Sequence, residues 1–198
     1  MNSIVIVDDD PIIRMDIREM LEEEGYVVAG EAKNGDEAIE IVARLKPDLV
    51  IMDVKMPVMN GIKASQIIRK MHDTSVLLLT AYSQRELVQD AREAGVSAYL
   101  VKPVSEEDLI PAVGIALSQK EKMESLKKDL EQLKQSLEER RQVEKAKGAV
   151  MRAFALEEDE AYKRMRSASM AARIPLSKLA ERILTDGVEP WSGMFRTG

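Results

Sequence analysis

Over the first 118 residues, short apolar runs alternate with amphipathic stretches. The runs fall at 4–7, 26–30, 49–52, 76–80 and 98–101 and are rich in Val, Ile and Leu, which predicts strands. Between them, apolar residues return at helical spacing. The series are Ile12-Ile13/Ile17/Met20-Leu21, Ala38-Ile39/Val42/Leu45, Ile62/Ile67-Ile68/Met71 and Leu87-Val88/Ala91/Ala94. Continuous apolar strands alternating with helices predict an α/β domain whose five-stranded parallel sheet is covered on both faces, in the order 2-1-3-4-5. Met15, Met20 and Met71 read as core filler and His72, the only histidine, as a surface residue.

From Leu109 the texture changes. Heptad positions fall at Leu109, Ala116, Met123, Leu130 and Leu137, and at Ala112, Gln119, Leu126, Leu133 and Arg140, with a strong seam only from Met123 to Leu137. This predicts a long helix that pairs with a copy of itself, against the plainer reading of a single amphipathic helix lying on the domain. Beyond Arg140 three apolar faces follow: Val143/Ala146/Val150-Met151/Phe154, Ala161/Met165/Ala168/Ala172 and Leu176/Leu179-Ala180/Ile183-Leu184. They predict a small three-helix bundle, with Glu157–Glu160 near one helix N-terminus and Pro175 opening the last helix. The expected division is an α/β domain over 1–118, a helical coiled-coil linker over 119–138, an all-α domain over 139–184 and a flexible tail over 185–198.

Charge supports two units. Residues 1–118 carry 12 Lys+Arg and 21 Asp+Glu, or −9, whereas 119–198 carry 17 and 14, or +3. The surplus within 139–184, 11 against 7, permits nucleic-acid binding without demanding it. With no cysteine, thiolate chemistry and disulfides are excluded. No apolar run approaches the roughly 20 residues that span a bilayer, and no signal peptide is evident, so a cytoplasmic protein without membrane contact is expected.

The candidate chemistry lies where the apolar runs stop. Ile4-Val5-Ile6-Val7 ends in Asp8-Asp9-Asp10, and Leu49-Val50-Ile51-Met52 ends in Asp53. Parallel strands bring such ends to one edge of the sheet, where ligands bind. Clustered carboxylates call for a cation, and a hard divalent ion such as Mg²⁺ suits them. A lone Asp after a strand is otherwise a cap or turn residue, and that is the role read for Asp10 ahead of Pro11.

Ile4-Val5-Ile6-Val7-Asp8-Asp9-Asp10-Pro11, Asp53-x-x-Met-Pro-x-Met-Asn-Gly61, Leu79-Thr80-Ala81 and Tyr99-Leu100-Val101-Lys102-Pro103 together resemble a two-component receiver domain of flavodoxin-like fold. The resemblance implies Asp53 as phosphoacceptor, fed by a sensor histidine kinase. It implies Asp8, Asp9, Asp53 and the Lys55 carbonyl around Mg²⁺, Lys102 and Thr80 on phosphate oxygens, and Tyr99 changing its burial when Thr80 moves. Lys102-Pro103 resembles the family's cis peptide.

The back of the chain has no helix-turn-helix glycine turn and no catalytic acid or metal motif. Arg140-Arg141-x-x-Glu144-x-Ala146-Lys147-Gly148-x-x-Met151, Glu160-Ala161-Tyr162-x-x-Met165-Arg166-x-Ala168-x-Met170 and Leu176-x-x-Leu179-Ala180-x-x-Ile183-Leu184 resemble the ANTAR domain. That resemblance implies a homodimer that holds RNA stem-loops of leader transcripts and promotes transcription antitermination, rather than an enzyme. Arg141, Lys145 and Arg152 on one helix, Lys163, Arg166 and Arg173 on the next, and Lys147 and Tyr162 are the candidate RNA contacts. These charges read equally as solvated faces, and a DNA-binding or protein-interaction output stays open. Gly148, inside a helix, reads as a site of close helix packing.

Overall fold

A computed structural model describes residues 2–81 and 96–195. It divides into two compact units, Met1–Ser125 and Leu126–Gly198. In the first, β1 (Ser3–Val7), β2 (Val27–Ala32), β3 (Leu49–Asp53), β4 (Ser75–Thr80) and β5 (Ala98–Val101) form one sheet in the order β2-β1-β3-β4-β5. All four pairings are parallel. Helices α1 (Pro11–Glu23), α2 (Gly35–Leu45) and α3 (Gly61–Met71) follow the first three strands. The helix expected over 87–94 lies outside the described residues.

The unbroken apolar character of β1, β3 and β4 has a simple cause: these three central strands are covered on both faces. Successive side chains alternate between faces. Val5, Val7, Val50, Met52, Val76 and Leu78 pack with Ala38 and Val42 of α2 and Ala64 and Ile68 of α3. Ile4, Ile6, Leu49, Ile51, Leu77 and Leu79 pack with Ile17 and Leu21 of α1 and with Leu109, Val113, Ala116 and Leu117. Those last four belong to α4 (Glu106–Phe154), a helix of 49 residues. Three helices start on side-chain caps. Asp10 accepts from the Ile12 N–H at 2.8 Å, Asn34 from Glu37 at 3.0 Å and Asn60 from Lys63 at 2.8 Å.

The expected linker and the first helix of the bundle are one element, because no proline falls between residue 119 and Phe154; the one proline inside α4, Pro111, lies before the linker. Met123, Leu126, Leu130, Leu133 and Leu137 on it are each more than half exposed. Met15 and Met71 are also exposed, on the outer sides of α1 and α3, whereas Met20 packs on the core. His72 caps α3 half-buried rather than at the surface, and its Nε2 is buried without a partner among the described residues.

In the second unit the end of α4 packs with α5 (Glu158–Ala172) and α6 (Leu176–Asp186) around Ala146, Val150, Ala161, Met165, Ala168, Leu179, Ala180 and Ile183. Four of those eight are alanines. The segment expected to be a flexible tail completes the core instead. A 3₁₀ turn (Glu189–Trp191) and α7 (Ser192–Phe195) fold back, with Trp191 packed on the cluster and Phe195 fully buried. The Phe195 ring meets Phe154 edge-on, centroids 5.6 Å apart. Its carbonyl accepts from the Arg164 guanidinium, which also pairs with Glu160 at 2.7 Å.

Candidate functional site

Asp8 follows the last residue of β1, Asp53 is the last residue of β3, and Lys102 follows the last residue of β5. Parallel pairing places all three at the carboxyl edge of the sheet. The Lys102 ammonium reaches into that edge, 2.6 Å from Asp8 Oδ2 and 2.8 Å from Asp53 Oδ1. Both carboxylates are buried, Asp8 to 1% exposure and Asp53 to 4%. The remaining oxygens are held by backbone: Asp10 N–H donates to Asp8 Oδ1 at 3.0 Å and Lys55 N–H to Asp53 Oδ2 at 3.0 Å. Burial pushes the Asp53 carboxyl above the usual carboxylate range, against the downward pull of the Lys102 ammonium. Burial also acts to lower the Lys102 ammonium, but its two carboxylates outweigh that and hold it above the ordinary lysine value.

Two buried carboxylates sharing one ammonium are a hard-oxygen pair in want of positive charge, so the donor set fits a divalent cation. Asp9 is exposed, and no group of three metal-holding side chains assembles among the described residues. Lys55 lies in the loop that leaves β3. Thr80 ends β4, buried, and its carbonyl accepts from the Lys102 N–H at 2.8 Å. Tyr99 pairs with Leu78 across β4 and β5 and is 45% exposed. The Lys102–Pro103 peptide is cis.

Arg14, which the sequence reading passed over, braces the site. It donates to the Asp8 carbonyl at 2.7 Å and to Glu31 at 2.9 Å. Arg18 holds Glu31 from the other side at 2.6 Å. The only signal in the sequence is a basic residue in the turn after the acidic run, and its target on β2 is not local.

The candidate RNA contacts of the second unit fall into two groups. Arg141, Lys145 and Arg152 of α4, Tyr162, Lys163 and Arg166 of α5, and Arg173 at its end are exposed. Lys147 is not among them. It is 7% exposed, its ammonium 2.6 Å from Glu144 and 2.6 Å from Glu158, and it ties α4 to the first turn of α5. Glu158 comes from across the interhelical loop, which spacing along one helix cannot reveal. Gly148 is also differently placed from expectation. Among the described residues a Cβ there would meet only the Arg152 guanidinium, at 3.5 Å, so close packing among them does not account for it. A groove lined by Arg140, Val143, Glu144, Tyr162, Leu176 and Ser177 runs beside the exposed tyrosine.

The fold and the acidic edge define a class, and comparison with known proteins agrees. The family model of the response regulator receiver domain matches residues 4–114, and that of the ANTAR domain matches 131–184. The chain is 45% identical over 181 residues to the transcriptional regulatory protein PdtaR of Mycobacterium tuberculosis, covering 91% of this chain and 88% of that protein. It is 40% identical to the chemotaxis protein CheY of Thermotoga maritima over 111 residues, 56% of this chain and 92% of that one. Among solved structures, a CheY-like receiver domain protein from Methanospirillum hungatei superposes with a TM-score of 0.59 at 30% identity, covering 62% of this chain and 98% of that chain. The protein is a two-component response regulator built on a receiver domain. More narrowly, it belongs to the response regulators whose output is an ANTAR domain.

Proposed function

We propose that Asp53 accepts a phosphoryl group from a histidine kinase and that this controls an RNA-binding, antiterminating output. The observation that carries the first half is the Lys102 ammonium shared by Asp8 and Asp53 at 2.6 and 2.8 Å. Asp53 Oδ attacks phosphorus, the P–N bond to the kinase histidine breaks, and the imidazole leaves with its electron pair. Asp8, Asp9, Asp53 and the Lys55 carbonyl would hold Mg²⁺, which when bound neutralises charge on the transferring group. Lys102 then shifts from two carboxylates to a phosphoryl oxygen, and the Thr80 hydroxyl donates to another. Phosphorylation adds about −1.5 to −2 charge at this point. As Thr80 is drawn toward the phosphoryl group, Tyr99 turns from its exposed position into the space released. Beyond phosphoryl uptake and its slow hydrolysis the chain is not an enzyme.

The output reading rests on the ANTAR match and on the exposed cations of α4 and α5. The receiver takes 1–118, the pairing segment 119–138, and the output 139–184 with its docked tail. The exposed Met123, Leu126, Leu130, Leu133 and Leu137 are the seam of a homodimer. Parallel pairing sets Asp129 of one copy against the partner's Lys134, at g and e positions, whereas antiparallel pairing would oppose the lysines at e. Two output domains side by side then hold two RNA stem-loops of a leader transcript, keeping it from folding into a terminator. The protein acts in the cytoplasm; no described helix is long and apolar enough to cross a membrane. The test is uptake from a small acyl phosphate with Mg²⁺. Wild type becomes phosphorylated and Asp53→Ala does not, while its circular dichroism is unchanged; uptake surviving in that variant contradicts the assignment.

A further inference from the structure

Arg141, Lys145, Gly148 and Arg152 follow one another along α4 at spacings of four, three and four. With 3.6 residues per turn, these positions lie within about 60° of one another around the helix. The opposite side carries Val143, Ala146 and Val150, which pack into the core. The three cations are therefore exposed, with Gly148 in their midst.

Nothing among the described residues requires a glycine there. Its backbone is helical, and it is not among the residues of positive φ. A Cβ would meet no backbone and no packed side chain, only the movable Arg152 guanidinium at 3.5 Å. Alanine would favour the helix more. A glycine that weakens its helix and makes room for none of the described residues points to something outside that comes close to the backbone. The flanking charge says what. A second copy of α4 laid over this face in a two-fold contact would set one basic stripe on another. A phosphodiester backbone carries a negative charge at every nucleotide and gains charge-assisted hydrogen bonds from donors on both sides of the gap.

We propose that Gly148 is a notch in a basic stripe, in which the sugar–phosphate backbone of an RNA stem-loop lies against α4. Lys145 and Arg152 contact the phosphates on either side of the notch, and Arg152 swings off the glycine to do so. This rests on the RNA-binding reading above and names the surface that does the binding. It also separates Gly148, Lys145 and Arg152 from Lys147, whose ammonium is spent on two carboxylates of the chain itself.

The experiment uses the full chain with beryllofluoride and Mg²⁺, titrated with a pool of synthetic RNAs carrying two tandem stem-loops with randomised loops. Gly148→Ala is expected to bind the pool at least tenfold more weakly, Gly148→Leu more weakly still, while the Tm of each is equal to or above that of wild type. Lys145→Gln is expected to lower the slope of log affinity against log salt by about one phosphate contact. Unchanged affinity in Gly148→Ala beside intact wild-type binding overturns the notch and leaves the RNA-binding reading standing. Weaker binding accompanied by a lower Tm overturns it too, since the glycine would then be structural. If Gly148→Ala weakens dimerisation in sedimentation and not RNA affinity, a second copy occupies the notch. If wild type binds no RNA in the pool, the RNA-binding reading falls, and the notch with it.

Discussion

A Cβ on Gly61 would stand 2.1 Å from the carbonyl oxygen of Asp53. The obstacle is backbone, not the end of a flexible side chain. The same glycine donates its N–H to the Val54 carbonyl at 3.0 Å, so the first turn of α3 is seated directly on the strand end that carries Asp53. Gly61→Ala must therefore move α3 away from β3. It is expected to cost roughly 3 kcal/mol, the upper end of overpacking effects. Urea unfolding checks this; a midpoint equal to wild type contradicts it.

At the opposite edge of the sheet, Asp48 accepts from the Ser3 N–H at 2.9 Å and from the Lys120 ammonium of α4. Burial acts against its charge, but the Lys120 and Ser3 donors outweigh it and hold the carboxyl below its ordinary value. A lowered carboxylate contributes stability that is full above the unfolded-state value and lost as pH falls through the folded one. Asp48→Asn is thus expected to cost about 1 kcal/mol at pH 7. The deficit should shrink below about pH 4, where the unfolded carboxylate protonates. Unfolding at pH 7 and pH 3 tests it; an equal deficit at both contradicts the account.

Phe195 is fully buried although it stands three residues from the end of the chain. In a core otherwise rich in alanine, it is the largest fully buried side chain. Phe195→Ala is expected to destabilise the output unit by about 3 kcal/mol. Limited proteolysis reads this as faster cleavage beyond residue 155 with the receiver left intact. Unchanged cleavage would mean the tail is dispensable.

Leu130 and Leu133 are each more than half exposed and belong to none of the core clusters formed by the described residues. A Lys at both positions should leave the monomer folded and weaken self-association at least tenfold, since a charge in a coiled-coil seam must be desolvated. Sedimentation equilibrium decides; dimerisation as strong as wild type removes the seam from the interface.

The sheet was readable from the sequence because burial on both faces forces unbroken apolar runs in its central strands β1, β3 and β4, and because Asp8 and Asp53 end two of them on one side. Asp10 was readable as a cap because its partner, Ile12, is two residues away. What could not be read depends on contacts between distant parts of the chain. The tail of Trp191 and Phe195, next to glycines, looks frayed until it is seen against Phe154. Lys147 reads as one more exposed cation until Glu158 arrives from the next helix. Arg14 acquires its role only when β2 brings Glu31 beside it. Gly148 suggested packing, and only the space around it shows that none of the described residues fills it.

The central claim, that phosphorylation at Asp53 gates an RNA-binding output, is tested most directly by measuring dimerisation and tandem-hairpin binding together, with and without beryllofluoride and Mg²⁺. The account predicts that the phosphate mimic drives dimers and tightens hairpin binding in wild type, and does neither in Asp53→Ala. Dimers that form with the mimic yet bind no RNA hairpin, or hairpin binding indifferent to the mimic, would contradict it.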